Sequence, residues 1–143
     1  MQVTINEKQE REEVIINCRE KDNRVRKIED YVNQIAVEIN VAMDGEMHRI
    51  SADHILYIES VDRKTFLCTE ENIYFNQESL CSLEERLRKT SIVRISKNCL
   101  LNVDSLKSIR PFANHRFEAT LKNGEKLLIS RMYIKDLKKK LSM

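Results

Sequence analysis

The chain has 143 residues, 41% of them hydrophobic and 34% charged, with a formal net charge of +2. This length is typical of one domain with a small extension, and it allows a buried core without disulfide or metal support. No apolar run approaches the roughly 18 residues of a membrane-spanning helix, and residues 1–7 lack the basic start and apolar core of a signal peptide. We therefore expect a cytoplasmic protein.

Residues 1–43 are predicted to form an N-terminal strand-and-helix extension. Short strands are expected over residues 2–6 and 13–18, the second with Val14-Ile15-Ile16 buried. Asp22 is expected to cap a helix. Apolar residues recur after it at helical spacing, namely Val25, Ile28, Val32, Ile35, Ala36 and Ile39.

Residues 44–143 are predicted to form the main domain, which is rich in strands. Asp44-Gly45 and Asn123-Gly124 predict two hairpin turns. A short helix is expected over residues 79–89, with Ser79 or Ser82 as its cap, and a last helix is expected from Ser130. Strands are expected over residues 41–43, 46–50, 55–58, 65–69, 73–75, 92–95, 106–110, 116–121 and 126–129. Eight to ten strands with two or three helices indicate a mainly β (α+β) fold.

The residues that metal and enzyme sites require are absent or scattered. The four cysteines form no Cys-x-x-Cys pair, and we interpret them as small buried hydrophobic residues. The three histidines are isolated, and both glycines belong to the predicted hairpins, which leaves no phosphate-binding loop. We expect no metal, no cofactor and no enzymatic activity.

Charge is distributed unevenly along the chain. Residues 91–143 contain 12 Lys or Arg and 4 Asp or Glu, a net charge of +8, whereas residues 1–90 have a net charge of −6. A basic half beside an acidic half indicates a polyanionic partner for the C-terminal half. A solvated helix end accounts for only the three lysines at 138–140.

Basic and amide side chains lie at the predicted loops and strand ends. Arg and Lys can donate to guanine or neutralise phosphate, and Asn can pair with adenine. Taken one by one, without further information, each of these side chains is better interpreted as an ordinary solvated surface charge. The candidate DNA-contacting residues are Arg63, Lys64, Thr65, Arg94, Lys97, Asn98, Arg131 and Lys135.

From about residue 44 to 141 the chain resembles the LytTR-type DNA-binding domain of bacterial transcription regulators. The residues that carry the resemblance are Ile55-Leu56-Tyr57-Ile58-Glu59-Ser60, the helix at 80–87, Val93-Arg94-Ile95-Ser96-Lys97-Asn98-Cys99-Leu100-Leu101-Asn102, and residues 121–125 with Ser130-Arg131-Met132-Tyr133. The resemblance implies an elongated, mostly antiparallel β fold that inserts loops into successive major grooves. It places DNA contacts at the loop of Arg63, Lys64 and Thr65, at the positions after Arg94, and at Arg131.

The sequence departs from the family pattern at the loop after Arg94. Ser96 stands where the family often has His, and Lys97-Asn98-Cys99 stands where it often has Arg-Ser-Tyr. Lysine keeps the charge but loses the bidentate fork of arginine. The base preference of relatives therefore does not transfer to this chain.

The resemblance predicts a sequence-specific transcription regulator bound to double-stranded DNA at repeated half-sites. The alternatives are an RNA-binding β module and a module that binds an acidic protein. Residues 1–43 are too few for the receiver domain that many relatives carry, so we expect a stand-alone regulator. Their helix either pairs two copies of the chain as a homodimer, binds a membrane-protein partner, or packs on its own sheet. We favour the homodimer, because the helix has an apolar stripe and the binding sites of the family are commonly repeated.

Overall fold

A computed structural model describes residues 1–141, which form ten β-strands and three α-helices. Residues 142 and 143, the end of the second predicted domain, lie outside the described residues. The prediction of eight to ten strands and two or three helices is confirmed. The helices are α1 (Asn23–Ala36), α2 (Leu80–Arg86) and α3 (Ile134–Lys140), and the strands are β1 (Glu38–Met43), β2 (Glu46–Ser51), β3 (Tyr57–Val61), β4 (Lys64–Cys68), β5 (Ile73–Asn76), β6 (Ile92–Ser96), β7 (Cys99–Asn102), β8 (Leu106–Pro111), β9 (Phe117–Leu121) and β10 (Lys126–Ile129).

The strands form two antiparallel sheets. The seven-stranded sheet has the order β2-β1-β5-β4-β3-β7-β6, and the three-stranded sheet has the order β10-β9-β8. All the pairings between described strands are antiparallel. The fold is therefore mainly β, as the sequence predicts.

The core lies on both faces of the seven-stranded sheet. Helix α2 covers one face, where Leu83 and Leu87 are fully buried with Ile58 and Leu67 of the sheet. The small sheet and α3 cover the other face. The buried side chains there include Tyr57, Leu101, Leu121, Ile129 and Leu137. Two covered faces hold the turns at the ends of the strands in fixed positions.

Helix α1 begins where the sequence predicts. The Val25 amide donates to Asp22 Oδ1 at 3.0 Å, as an N-cap requires. That hydrogen bond favours the ionised carboxylate and lowers the pKa of Asp22 below its ordinary value. The predicted apolar stripe is only partly correct: Ile35 is 46% exposed, and Ile39 lies in β1 because the helix ends at Ala36.

Polar contacts hold α1 against the rest of its own chain. The Gln34 amide is buried and donates to Ser91 Oγ, and Asn33 Nδ2 donates to the Lys89 carbonyl at 3.1 Å. Nearer the N-terminus of the helix, Asp30 lies 3.5 Å from Lys140. Within the chain, α1 therefore packs against its own domain, whereas the homodimer and the membrane-protein partner remain predictions.

The two strands predicted before α1 are absent. Residues 1–21 contain no helix or strand, and Val14 and Ile15 are 63% and 69% exposed. A strand-forming sequence needs a neighbouring strand to satisfy its backbone, and none of the strands in residues 22–141 pairs with this segment. The predictions of strands at 2–6 and 13–18 and of a buried Val14-Ile15-Ile16 are wrong.

Strand β1 belongs to the large sheet although it falls within the predicted N-terminal extension. It pairs with β2 along its whole length and with β5 through Ala42 and Phe75. Residues 38–43 are therefore part of the sheet and not of an appendage. The division into residues 1–43 and 44–143 otherwise remains a prediction.

The hairpin predictions hold, but the two turns differ in geometry. Asp44 and Gly45 both have positive φ, 52° and 80°, as a type I′ turn requires. At the other hairpin only Gly124 has positive φ, 91°, and its amide donates to the Leu121 carbonyl. That pattern is a type I turn followed by a glycine bulge.

The cysteine prediction is half correct. Cys68 and Cys99 are buried, whereas Cys18 and Cys81 are exposed. Burial raises the pKa of the Cys99 thiol to about 12 because it disfavours the charged thiolate.

Candidate nucleic-acid interface

The β3–β4 turn presents two basic residues at one end of the large sheet. Asp62 and Arg63 form a two-residue turn between Val61 and Lys64, with φ of 50° and 65°. A side chain at positive φ costs roughly 1 kcal/mol, and glycine would avoid that cost. Arg63 and Lys64 are both exposed.

The β6–β7 turn lies beside the β3–β4 turn. Lys97 and Asn98 form this turn and are exposed. The Ser60 amide of β3 donates to the Asn98 carbonyl at 2.8 Å, which fixes this turn against the last residues of β3. The structure thus brings together two basic turns that are more than thirty residues apart in the chain.

A third basic segment reaches the same end of the sheet after β10. The Ser130 amide donates to the Ile95 carbonyl at 2.9 Å, one residue before the end of β6. Arg131 follows directly, is exposed, and so lies close to the β6–β7 turn. Lys135, in the first turn of α3, is also exposed.

Two of the predicted contact residues have other roles in the structure. Thr65 is only 3% exposed, because it points into the sheet between Ser60 and Asn76 on the neighbouring strands. A residue in that position is unavailable to DNA, and we remove Thr65 from the candidate interface.

Arg94 is occupied by protein partners through all three guanidinium nitrogens. Its Nε donates to Glu84 Oε2 at 3.0 Å, and its Nη1 donates to the Lys97 carbonyl at 2.6 Å. The remaining nitrogen, Nη2, lies 3.3 Å from Glu84 Oε1 and 3.5 Å from Cys81 Sγ. Hydrogen bonding to Glu84 raises the pKa of Arg94 further above its ordinary value. We therefore assign Arg94 the task of holding the β6–β7 turn, not of contacting DNA.

The other predicted cations are free of such partners. Within residues 1–141 no ion pair involves Arg63, Lys64, Lys97, Arg131 or Lys135. Exposed cations without a carboxylate partner are suited to neutralising phosphates. Their convergence at one end of the sheet gives that end a positive surface.

The β8–β9 loop is a neighbour of Arg131 that is not among the predicted contact residues. His115, Arg116 and Arg131 line the same open cavity of about 660 Å³. The loop is sharply turned, with Asn114 and His115 at φ of 59° and 60°. Arg116 lies over the Phe112 ring at 5.4 Å. The basic residue Arg116, five residues after the strand-ending Pro111, was the signal available in the sequence.

The opposite end of the sheet has an acidic surface. A second cavity there is lined by Asp53, Glu70, Glu71 and Asp104, with Lys122 at its edge. The carboxylates at this end would repel phosphate groups. A polyanion is therefore expected to approach the basic end of the sheet. Among the described residues, no three His, Cys, Asp or Glu side chains come together in a way that could hold a metal ion. No helix in that part of the chain has the length and hydropathy needed to cross a membrane.

Comparison with known proteins agrees with this arrangement. Residues 45–142 match the sequence profile of the LytTr DNA-binding domain. The chain belongs to the LytTr DNA-binding domain family. A solved LytTr DNA-binding domain of a response regulator from Bacillus cereus superposes with a TM-score of 0.69 at 25% identity, covering 74% of this chain and 97% of that one. The resemblance read from the sequence is confirmed.

Full-length relatives are considerably longer than this chain. The sensory transduction protein LytT of Bacillus cereus is 30% identical over 90 residues, which cover 63% of this chain and 37% of that protein. The transcriptional regulatory protein LytR of Staphylococcus aureus is 28% identical over 98 residues, 68% of this chain and 40% of that protein. The chain thus spans about two fifths of the length of the curated LytTr relatives it matches. Helix α1 and the whole of β1 precede the matched residues.

Proposed function

We propose that this LytTr protein is a sequence-specific DNA-binding transcription regulator that reads the major groove with its basic turns. The observation that supports this most directly is the convergence of three basic segments, after β3, after β6 and after β10, at one end of a rigid sheet. A major groove about 12 Å wide admits a narrow two-residue turn. The names of the relatives, a sensory transduction protein and a transcriptional regulatory protein, support the same function.

Within this proposal, some residues contact phosphates and others contact bases. Arg63, Lys64, Lys97 and Lys135 neutralise phosphates and set the register on the duplex. Arg131 and Asn98 supply the donors that distinguish bases, since Arg pairs with guanine and Asn with adenine. Arg116, in the β8–β9 loop beside Arg131, adds a further contact with the phosphate backbone of the DNA.

We propose further that the protein acts in the cytoplasm as a homodimer on repeated half-sites and without enzymatic activity. A two-fold assembly on DNA is favoured by the small size of one domain, which reads too few bases to select a site in a genome by itself. The alternatives, an RNA-binding module and a module for an acidic protein, have less support. Of the adjacent aromatic residues Tyr74 and Phe75, which are the nearest candidates for stacking on RNA bases, Tyr74 is buried and faces the core.

The proposal is tested by selecting bound sequences from a randomised duplex pool, followed by fluorescence-anisotropy titrations at several salt concentrations. We expect Arg131→Ala to weaken binding to the selected site by about 1–3 kcal/mol and to relax the preference at one base pair. Lys97→Ala should weaken all sequences and reduce the salt slope by about 1. The matched control is Lys122→Ala, an exposed lysine at the acidic end.

The outcomes separate the candidate functions. Specific DNA reading is supported if a short motif is enriched, if Arg131→Ala relaxes its base preference, and if Lys122→Ala leaves that preference unchanged. Salt-sensitive binding with no enriched motif would reduce the proposal to non-specific polyanion binding. Stronger competition by single-stranded RNA than by duplex DNA would favour the RNA-binding alternative.

A further inference from the structure

The outer strand β2 of the large sheet has one open edge. Strand β2 is the outer strand of the order, and within residues 1–141 it pairs only with β1. The hairpin closes at the pair Met43 and Glu46, so Met47 and Arg49 direct their backbone N–H and C=O groups away from β1. The Met47 side chain is 76% exposed. An edge of this kind is a template for another strand.

The same chain carries a strand-forming segment with no partner. Residues 13–17 include three consecutive β-branched residues, Val14, Ile15 and Ile16, which favour extended structure. Val14 and Ile15 are largely exposed, and the segment belongs to no strand. Within residues 1–141 the one ion pair of Glu13 is with Arg11, at 3.3 Å, an exposed pair of little energetic value.

The charges of the two segments match in one antiparallel register. Placing Ile15 opposite Met47 brings Glu13 opposite Arg49, so that an apolar pair and an oppositely charged pair form together. Arg49 is exposed and lies 3.6 Å from Glu38 on β1, on the same face of the hairpin. We propose that residues 13–17 add to the outer edge of β2 in a second copy of the chain, and that the exchange is reciprocal.

The position of α1 explains why the partner is a second copy. The Ala52 amide, next to the end of β2, donates to the Val37 carbonyl at 2.9 Å, which fixes the C-terminal end of α1 near β2. Farther toward its N-terminus, α1 contacts Lys140 of α3, and α3 packs on β6 at the other edge of the sheet. The 14 residues of α1 span about 21 Å.

The N-terminal end of α1, to which residues 1–22 are attached, therefore lies on the side away from β2 of the same chain. The six steps from residue 17 to residue 23 span at most about 21 Å when fully extended. This only equals the length of the helix, before any distance from the end of α1 to the outer edge of β2 is added. A second copy has no such restriction. In a two-fold dimer each copy gives one segment and receives one.

This inference rests on the homodimer in the proposed function and supplies its interface, which is the N-terminal segment and not the apolar stripe of α1. It does not depend on DNA reading. Two added strands of five residues bury less than the roughly 1,600 Å² of a standard interface. We therefore expect a dimer that dissociates at micromolar concentration and that DNA half-sites strengthen by holding two copies together.

Charge exchange between two variants of the full chain tests the proposal. In Glu13→Arg and in Arg49→Glu, both exchanged pairs of the homodimer become repulsive. In an equimolar mixture of the two variants, both pairs of the heterodimer become attractive again. The control is Glu10→Arg, the same change of charge outside the paired segment. Sedimentation velocity over a concentration series gives the dimer dissociation constant, and thermal unfolding verifies that each variant is folded.

We expect each single variant to weaken the dimer by about ten-fold and the mixture to recover to within about three-fold of the unmodified chain. Glu10→Arg should leave the dissociation constant unchanged. Its heterodimer with Arg49→Glu keeps only one attractive pair, so that heterodimer should be weaker than the heterodimer of Glu13→Arg with Arg49→Glu. An unmodified chain that stays monomeric up to about 100 micromolar would overturn the proposal. So would a dimer that both variants leave intact or that mixing does not rescue. Specific DNA binding, measured separately on the same samples, would survive each of these failures.

Discussion

Arg94 gives the sharpest prediction, because the sequence assigns it to DNA and the structure assigns it to the protein. Its side chain is 12% exposed, whereas that of Glu84 is 44% exposed. Truncation to Ala removes a charge-assisted fork and the hydrogen bond to the Lys97 carbonyl. Hydrogen bonds to charged groups contribute about 1.5–3 kcal/mol, and solvent at Glu84 lowers the ion-pair part to about 1 kcal/mol.

From these values we expect Arg94→Ala to lower the free energy of unfolding by about 2 kcal/mol, or Tm by roughly 8 °C for a chain of this size. Arg94→Lys should lose about half as much, since it keeps the charge without the fork. A double-mutant cycle with Glu84→Ala should show a coupling of about 1 kcal/mol. Urea unfolding followed by circular dichroism measures all three changes.

The DNA titration separates the two roles of Arg94. A residue that only holds the turn leaves the salt slope unchanged when it is replaced, whereas a phosphate contact reduces the slope by about 1. Lys97→Ala is the matched comparison, because it removes a free cation from the turn that Arg94 holds. If Arg94→Ala leaves Tm unchanged and lowers the salt slope, Arg94 contacts DNA directly and the assignment made from the structure is refuted.

Three further predictions concern groups inside the fold. With a pKa of about 12, Cys99 is thiolate in only about one molecule in ten thousand at pH 8. Ellman's reagent should therefore react rapidly only with the exposed thiols of Cys18 and Cys81. Rapid reaction of all four thiols would show that the core opens readily. Tyr57→Phe removes the hydroxyl that donates to a carboxylate of the β9–β10 hairpin at 2.7 Å; this should cost about 1 kcal/mol in urea unfolding, and no loss would mean that the bond adds nothing. Gln34→Leu should destabilise the chain by about 1–3 kcal/mol, because its buried amide links α1 to the sheet; equal stability of this variant and the exposed-site control Lys27→Ala would show that α1 does not stabilise the domain.

Local chemistry made much of the fold predictable. The cap at Asp22, the turn at Asp44-Gly45 and the short strand around Arg94 follow from rules that act over a few residues. The segment at 13–18 marks the limit of such rules. Its residues favour a strand, but strand formation also requires an edge to pair with, and no local pattern states whether that edge is near.

The candidate interface shows the same division. The sequence by itself determined which residues carry the charge: Arg63, Lys97 and Arg131 all lie at chain turns, where polar side chains are expected. Only the tertiary structure decided that these turns meet at one end of the sheet, through the hydrogen bonds from Ser60 to Asn98 and from Ser130 to Ile95. It also decided that Arg94 is occupied by Glu84. Both outcomes depend on contacts between residues far apart in the chain, which sequence periodicity does not encode.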